Sequence, residues 1–328
     1  MIVAEGTRAP LSGRCEVDIE RQKLIAGLEA EFKSIPCSFY YDDVGSQYYE
    51  NLCEQPEYYL TRTERQLVEV HGVSIAEETG PCDIVELGSG NARKSALLLK
   101  AYAAATRLPA FYPIDICGDS VEKSLAYLAA EFPGIELTGV TGTYSDGLRA
   151  LPRTATPRMF VLLGSSLGNM SDGEIHTLLS DIRAVARKGD SFLFGADLHK
   201  DPAILERAYN DAAGWASRTN LNLLNNVNLR YQGDFQLDNF VHLAFYNPAR
   251  MQVEAHLKSL RSQTATLQAL NVSVALRPGE TIQTQIARKF DPGNLREIGL
   301  SAGFSWGREW TDSEASYALV LLRLGQRS

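Results

Sequence analysis

Cysteine is scarce in this chain and nowhere paired. Five residues (Cys15, Cys37, Cys53, Cys82, Cys117) make an odd number, none falls in a C-x-x-C, and the five histidines (His71, His176, His199, His242, His256) are equally dispersed. This excludes a disulfide framework and a Cys/His metal site at ordinary spacing, so no metal is expected and reduced thiols point to the cytoplasm. Long apolar runs are also missing: nothing approaches the roughly 20 residues of a membrane span. The start, Met1-Ile2-Val3-Ala4-Glu5-Gly6, lacks the charged region and apolar core of a leader. Positive charge is in the minority, with 32 Lys and Arg against 40 Asp and Glu and a formal charge of −8. The bases form no stripe, which argues against nucleic acid and for a small-molecule substrate. No repeat or low-complexity tract appears, and a monomer is expected.

What is present suits an ordinary globular protein, 45% hydrophobic and 22% charged, and 328 residues are long for one core, so two domains are expected. Its most informative stretch is Asp83-Ile84-Val85-Glu86-Leu87-Gly88-Ser89-Gly90-Asn91-Ala92-Arg93-Lys94-Ser95. An apolar run from Ile84 to Leu87 gives way to small residues, and Lys94 to Tyr102 then has helical character. A buried strand that turns into a helix through glycines leaves no Cβ in a ligand's way and aims free helix N–H groups at it. The dinucleotide pattern G-x-G-x-x-G fails because Arg93 stands where the third glycine belongs, and no G-K-[ST] follows for a P-loop. The E-x-G-x-G turn of class I methyltransferases fits, with S-adenosylmethionine (SAM) over the glycines; an ordinary tight turn would look the same. Asp115 closes the next apolar run, Phe111 to Ile116, 25 positions after Gly90, where an acid can take ribose hydroxyls. Its alternative role is to cap a helix starting near Ser120.

Residues 1 to about 15 read as a loose arm, and Asp18 to Lys33 as a helix with Ile19, Leu24, Ile25, Leu28 and Phe32 turned inward. Seven aromatic residues lie between Phe39 and Tyr59, beside Gly and Pro, in sequence more loop-like than a packed core. Thr61 or Thr63 can cap a helix running from Glu64 to about Val70. Strands are then expected at 84–87, 111–115, 135–140, 159–163 and 191–196, with helices such as Val121 to Glu131 and Ile175 to Arg187 between them. That alternation is an α/β pattern, a doubly wound parallel sheet whose sites lie at the carboxyl ends of its strands. The fourth strand ends in Gly164-Ser165-Ser166-Leu167-Gly168-Asn169. After Asp197 come a long helix or helix pair over Pro202 to Leu224 and a hairpin around Asn247-Pro248-Ala249-Arg250. Strands at Asn271 to Leu276 and Thr281 to Phe290 follow, then a helix at Leu295 to Ala302 and two strands that return to the first sheet. Residues 16–62 with 199–289 are therefore expected to form a substrate-binding lid, and 63–198 with 290–328 a SAM-binding domain.

From about Lys33 to Leu324 the chain resembles the histidine-specific, SAM-dependent methyltransferases, founded on Nα-trimethylation of L-histidine in ergothioneine synthesis. The resemblance rests on Tyr41-Asp42-x-Val44-Gly45-Ser46, Pro56-Glu57-Tyr58-Tyr59-x-Thr61-Arg62-Thr63-Glu64, Glu86-Leu87-Gly88-Ser89-Gly90, Gly164-Ser165-x-x-Gly168-Asn169 and Ala208-Tyr209-x-Asp211-Ala212-Ala213-Gly214. It implies a class I, Rossmann-like SAM-binding fold with an inserted α+β substrate domain. Glu86, Gly88, Ser89, Gly90, Lys94, Asp115, Thr143 and Tyr144 would surround the cofactor. Asn169 and Tyr209 would take the substrate carboxylate and amine, with Tyr41, Tyr49, Tyr58 and the Gly164 carbonyl shaping the amino pocket. Where the family's histidine enzymes carry a Glu and then a Ser around the imidazole, this chain has Gln285 and Ala287. A Met of the preceding hairpin corresponds to Ala255, a Thr near the carboxylate to Ala216, and an acid near the adenine to Thr143. The expected activity is N-methylation of an amino acid's α-amine, with histidine, tryptophan or a prenylated tryptophan as candidates, or else SAM binding without catalysis.

Overall fold

The alternation of apolar runs and amphipathic segments in the sequence becomes a regular chain of elements in the computed structural model, which describes residues 13–314 and 316–324, with side chains from Glu20 onward. Residues 1–12 of the expected arm, and the side chain of Ile19, lie outside these. Helix α1 (Gly13–Glu29) leads to strand β1 (Lys33–Ser34), a short helical turn at Cys37–Tyr40 and α2 (Asp43–Cys53). Then follow α3 (Tyr59–Thr79), β2 (Asp83–Leu87), α4 (Arg93–Ala105), β3 (Phe111–Asp115), α5 (Gly118–Glu131), β4 (Val140–Thr141), α6 (Tyr144–Ala150), β5 (Arg158–Leu162), α7 (Asp172–Val185) and β6 (Ser191–Asp197). The remainder is α8 (Pro202–Ala208), α9 (Trp215–Tyr231), β7 (Phe240–Asn247), β8 (Gln252–Ser259), β9 (Gln263–Leu267), β10 (Val272–Leu276), β11 (Thr281–Arg288), α10 (Pro292–Ser301), β12 (Phe304–Thr311) and β13 (Tyr317–Leu324). Among the described residues no helix is long and apolar enough to cross a membrane.

The chain folds as two compact units, one from Leu60–Leu198 and the chain from Phe290 onward, the other from Arg14–Tyr59 and His199–Lys289. The first holds a seven-stranded sheet in the order β12-β13-β6-β5-β2-β3-β4. Strands β2 to β6 run parallel, and β13 lies antiparallel between β6 and β12. This is the doubly wound class I methyltransferase arrangement. Strands β2, β5 and β6 are buried along their whole length, as apolar strands covered on both faces must be. Their side chains join Leu178, Ile182, Phe304 and Leu322 in one core.

The second unit contains a four-stranded sheet, β1-β11-β8-β7, and a separate β9–β10 pair. Leu24 and Leu28 of α1, Phe39, Leu223 and Val227 of α9, Leu257 and Ile282 share its core. Helix α9 is rich in asparagine, which ordinarily competes with helical backbone. Here the amides are spent on the aromatic segment: Asn222 Nδ2 donates to Asp42 Oδ1 (2.8 Å) and Asn226 Nδ2 to the Phe39 carbonyl (2.8 Å). Asp42 also caps α2 by accepting from Gly45 N at 2.6 Å, and a Cβ on Gly45 would strike the Tyr40 carbonyl.

Three expectations need correction. Phe32 is 87% exposed, because α1 stops at Glu29 and the chain turns into β1, so the helical phase that placed it inward is lost. Thr61 and Thr63 lie inside α3, which starts at Tyr59 and runs to Thr79. The strand expected at 135–140 shrinks to β4 and an isolated Phe111–Leu137 bridge. Of the helix or helix pair expected after Pro202, the pair forms, broken at Tyr209–Gly214. Asp211 starts the second by accepting from Trp215 N (2.9 Å) and Ala216 N (2.7 Å).

Candidate active site

In the first unit the turn after β2 depends on left-handed backbone, with φ of +76° at Gly88, +51° at Gly90 and +54° at Ala92. Only glycine takes such angles freely, which is what the glycines contribute here. The turn is pinned from two sides: Asp115 Oδ2 accepts from Gly90 N at 3.0 Å, and Ser124 Oγ donates to the Gly90 carbonyl at 2.7 Å. Asp115 Oδ1 accepts from Cys117 N (2.9 Å), so Asp115 braces both this turn and the entry to α5, whose N-cap is Cys117. Its remaining lone pairs are available to a ligand. A Cβ on Gly90 would meet nothing within 4 Å, whereas one on Gly88 would come 3.0 Å from the Tyr144 hydroxyl, which places Tyr144 at the turn. Thr143 caps α6 through Asp146 N (3.3 Å).

The residues fit a SAM cradle. The turn is open over Gly90, and the Ser89 hydroxyl is buried with no hydrogen-bond partner in the protein, a polar atom that a ligand in the cradle would satisfy. Glu86 lies 3% exposed beneath the turn and is hydrogen-bonded to Ser95 of α4. Burial pushes its carboxyl up to about 8, against the opposing pull of Ser95 and the Lys94 ammonium. Lys94 forms an ion pair with Glu64. Gly164 and Asn169 stand at the carboxyl end of β5, with Asn169 closing a single helical turn, Ser166–Asn169.

The second unit has its own pocket, about 460 Å³ of empty space including the open mouth, lined by Tyr40, Tyr41, Tyr49, Tyr58 and Tyr209 among other residues. The tyrosine rings form an edge-to-face series, Tyr40 to Tyr41 to Tyr49 to Tyr58 to Tyr209, with centroids 6.0–6.4 Å apart. Burial holds the Tyr58 hydroxyl well above the usual phenol range, aided by Tyr209, and the neighbouring Cys53 and then Tyr58 do the same for Tyr49. These rings are neutral phenols. Tyr209 ends α8, and Lys289 Nζ donates to its hydroxyl at 3.1 Å.

Ala255 and Gln285, paired across β8 and β11, also line this pocket. Ala287 does not: two residues along a strand carry it about 6.6 Å away, and its methyl is too short to reach back. Sequence reasoning missed Thr219, Asn220 and His242 as pocket residues. The first two follow Ala216 at helical spacing on α9, a signal the asparagine-rich run obscured. Asn220 accepts from the Tyr40 hydroxyl (3.1 Å) and faces His242 Nδ1 (2.7 Å), while His242 Nε2 meets the Tyr209 carbonyl (2.9 Å). This requires the neutral Nε2–H tautomer, in keeping with the downward shift that burial imposes on His242.

With this geometry in hand, the comparisons with known proteins are specific. A family model described as histidine-specific, SAM-dependent methyltransferase matches residues 20–324. A histidine N-alpha-methyltransferase of Mycolicibacterium smegmatis is 36% identical over 301 residues, covering 92% of this chain and 94% of the relative. Its counterpart in Mycobacterium tuberculosis is 34% identical with the same coverage. An L-tryptophan methyltransferase of Psilocybe serbica is 27% identical, covering 89% of this chain and 88% of the relative. The chain belongs to the histidine-specific, SAM-dependent methyltransferase family and is a SAM-dependent N-methyltransferase.

Proposed function

We propose that the enzyme methylates the α-amine of an α-amino acid whose side chain is aromatic and uncharged. The observation that carries this reading is the lining of the second unit's pocket: five tyrosines with Ala255 and Gln285, and among the described residues no carboxylate to hold an imidazolium. On this reading residues 14–59 and 199–289 are the substrate-binding unit. Ser89, the Gly88–Gly90 backbone, Lys94, Asp115 and Tyr144 hold SAM, with Glu86 and Thr143 shaping the turn from behind. Bound SAM would supply a sulfonium methyl carbon open to in-line attack by the amine lone pair, the S–CH3 bond breaking to leave a neutral thioether.

The chain's own part is positioning, desolvation and charge. Asn169 and Tyr209 take the substrate's carboxylate and amine, and Lys289 orients the Tyr209 hydroxyl. In the second unit Tyr41, Tyr49 and Tyr58 serve the amine; in the first the Gly164 carbonyl is an acceptor for it. A tyrosine-lined pocket with no anion favours the neutral amine over ammonium, and ring faces suit the alkylated ammonium that forms. A second reading, histidine itself, is favoured by the 36% identical relative. A methyl-transfer screen over the amino acids, read by mass spectrometry, decides between them. Turnover of tryptophan, phenylalanine or tyrosine above that of histidine is expected, and efficient use of histidine would overturn the proposal.

A further inference from the structure

The geometry points to Glu64 as a positioning residue that ties the cofactor turn to the loop carrying Gly164 and Asn169, a role that rests on the assignments of Lys94, Gly164 and Asn169 just given. Glu64 lies in α3 and is 0% exposed. A carboxylate taken out of water is strongly disfavoured unless its charge and lone pairs are matched. Here several elements match them. Lys94 of α4 is its ion-pair partner, the Gly164 backbone N–H donates to both oxygens at 2.8 Å, and the Tyr317 hydroxyl of β13 donates to Oε1 at 2.8 Å. Strand β6 leaves the room, since a Cβ on Gly195 would run into both the Glu64 carboxylate and the Tyr317 hydroxyl. These partners come from distant parts of the chain, so the cluster is not local turn chemistry.

What the carboxylate holds is backbone that would not stay in place unaided. Gly164 has φ of +83° and Ser165, a residue with a Cβ, has φ of +56°. Two left-handed residues in succession persist only where the surroundings constrain them. The Glu64 bonds to Gly164 N–H, and the Gly168 N–H to the Ser165 carbonyl (3.0 Å), are such constraints. The turn they enforce ends in Asn169. The same carboxylate anchors the Lys94 ammonium at the start of α4. One buried charge thus sets the direction of the Gly164 backbone and the place of Lys94 together.

Calorimetric titration with SAM alone tests this without depending on the amino-acid substrate, using wild type, Lys94→Met, Glu64→Gln and the double variant. Lys94→Met is expected to weaken SAM binding about tenfold in the wild type, but under about threefold where Gln at 64 has already released the ammonium. Equal effects in both backgrounds would overturn the proposal. With the best substrate from the screen, at saturating SAM, kcat of Glu64→Gln is expected to fall about tenfold or more; unchanged kcat in a folded protein counts against it. If Glu64→Gln alone leaves Lys94 unpaired and fails to fold, the neutral double variant replaces it. Its kcat should lie about tenfold below that of Lys94→Met, because Gly164 has lost its two-oxygen acceptor, and equal kcat values overturn the role.

Discussion

Replacing Gln285 by glutamate is the most direct probe of how the pocket selects a side chain. Gln285 sits on β11 opposite Ala255, just past a register shift between Gln283 and Gln285, and among the described residues no carboxylate lines the same pocket. A neutral amide offers an imidazolium one carbonyl, while its N–H₂ group would be a donor facing a donor. A carboxylate would accept from the imidazolium, and a hydrogen bond to a charged group is worth about 1.5 to 3 kcal/mol. That is roughly tenfold to more than a hundredfold in kcat/KM. The new acid would itself be desolvated, which raises its pKa, so the gain should be largest with a cationic side chain and absent with tryptophan. The assay is kcat/KM for histidine and tryptophan in wild type and Gln285→Glu. Histidine should gain by that factor and tryptophan should lose. Adding Ala287→Ser should change little, under about twofold, since Ala287 lies off the pocket wall. A wild type already efficient on histidine, or a variant with no gain, refutes the reasoning.

Asp115→Ala should weaken SAM binding by about 1 to 3 kcal/mol, because it removes both a ligand acceptor and the brace on Gly90; unchanged calorimetric affinity would leave Asp115 a purely local brace. Gly88→Val should bind SAM more weakly still and lower Tm, since a β-branched residue is poorly tolerated at φ +76° with the Tyr144 hydroxyl alongside. Glu86 keeps its proton in the folded protein up to about pH 8 but ionises near pH 4.5 when unfolded. Its contribution to stability is therefore full below about pH 4.5 and lost as pH rises through about 8. Glu86→Gln, a neutral isostere, should remove this decline. Urea midpoints of the two proteins that stay parallel between pH 5 and pH 8.5 would contradict it.

Most of the first unit was legible because buried parallel strands are written as short apolar runs bounded by turn residues and separated by longer helical patterns. Strands β2 and β3 fall where Ile84–Leu87 and Phe111–Asp115 placed them, and the glycines after β2 make the expected strand-to-helix turn, at left-handed angles. The edge strand β4 was misjudged because Gly134 and Gly139 break a segment that has a neighbour on one side only. The 263–267 strand was missed because Gln263-Thr264-Ala265-Thr266-Leu267 is half polar and pairs with β10 apart from an isolated Gly233–Leu267 bridge. The aromatic segment, where the sequence left core filling open beside a looser role, contributes Tyr40, Tyr41, Tyr49 and Tyr58 to one pocket, and Tyr209 joins them. Its other wall was not legible. Asn220 and His242 lie in different elements, and nothing in a linear sequence indicates that an asparagine will face a histidine 22 positions away.

The antiparallel insertion of β13 between β6 and β12 also has a bearing on how the protein is made. Strand β6, apolar along its length, acquires its outer neighbour only when Tyr317–Leu324 has been synthesised, roughly 120 residues later. A nascent chain stopped anywhere in that interval carries an open, sticky edge on its central sheet, the kind of surface that recruits chaperones or strands from other chains. Loss of β13, far from the glycine turn in sequence, would for that reason surface first as aggregation during translation and only second as a missing activity.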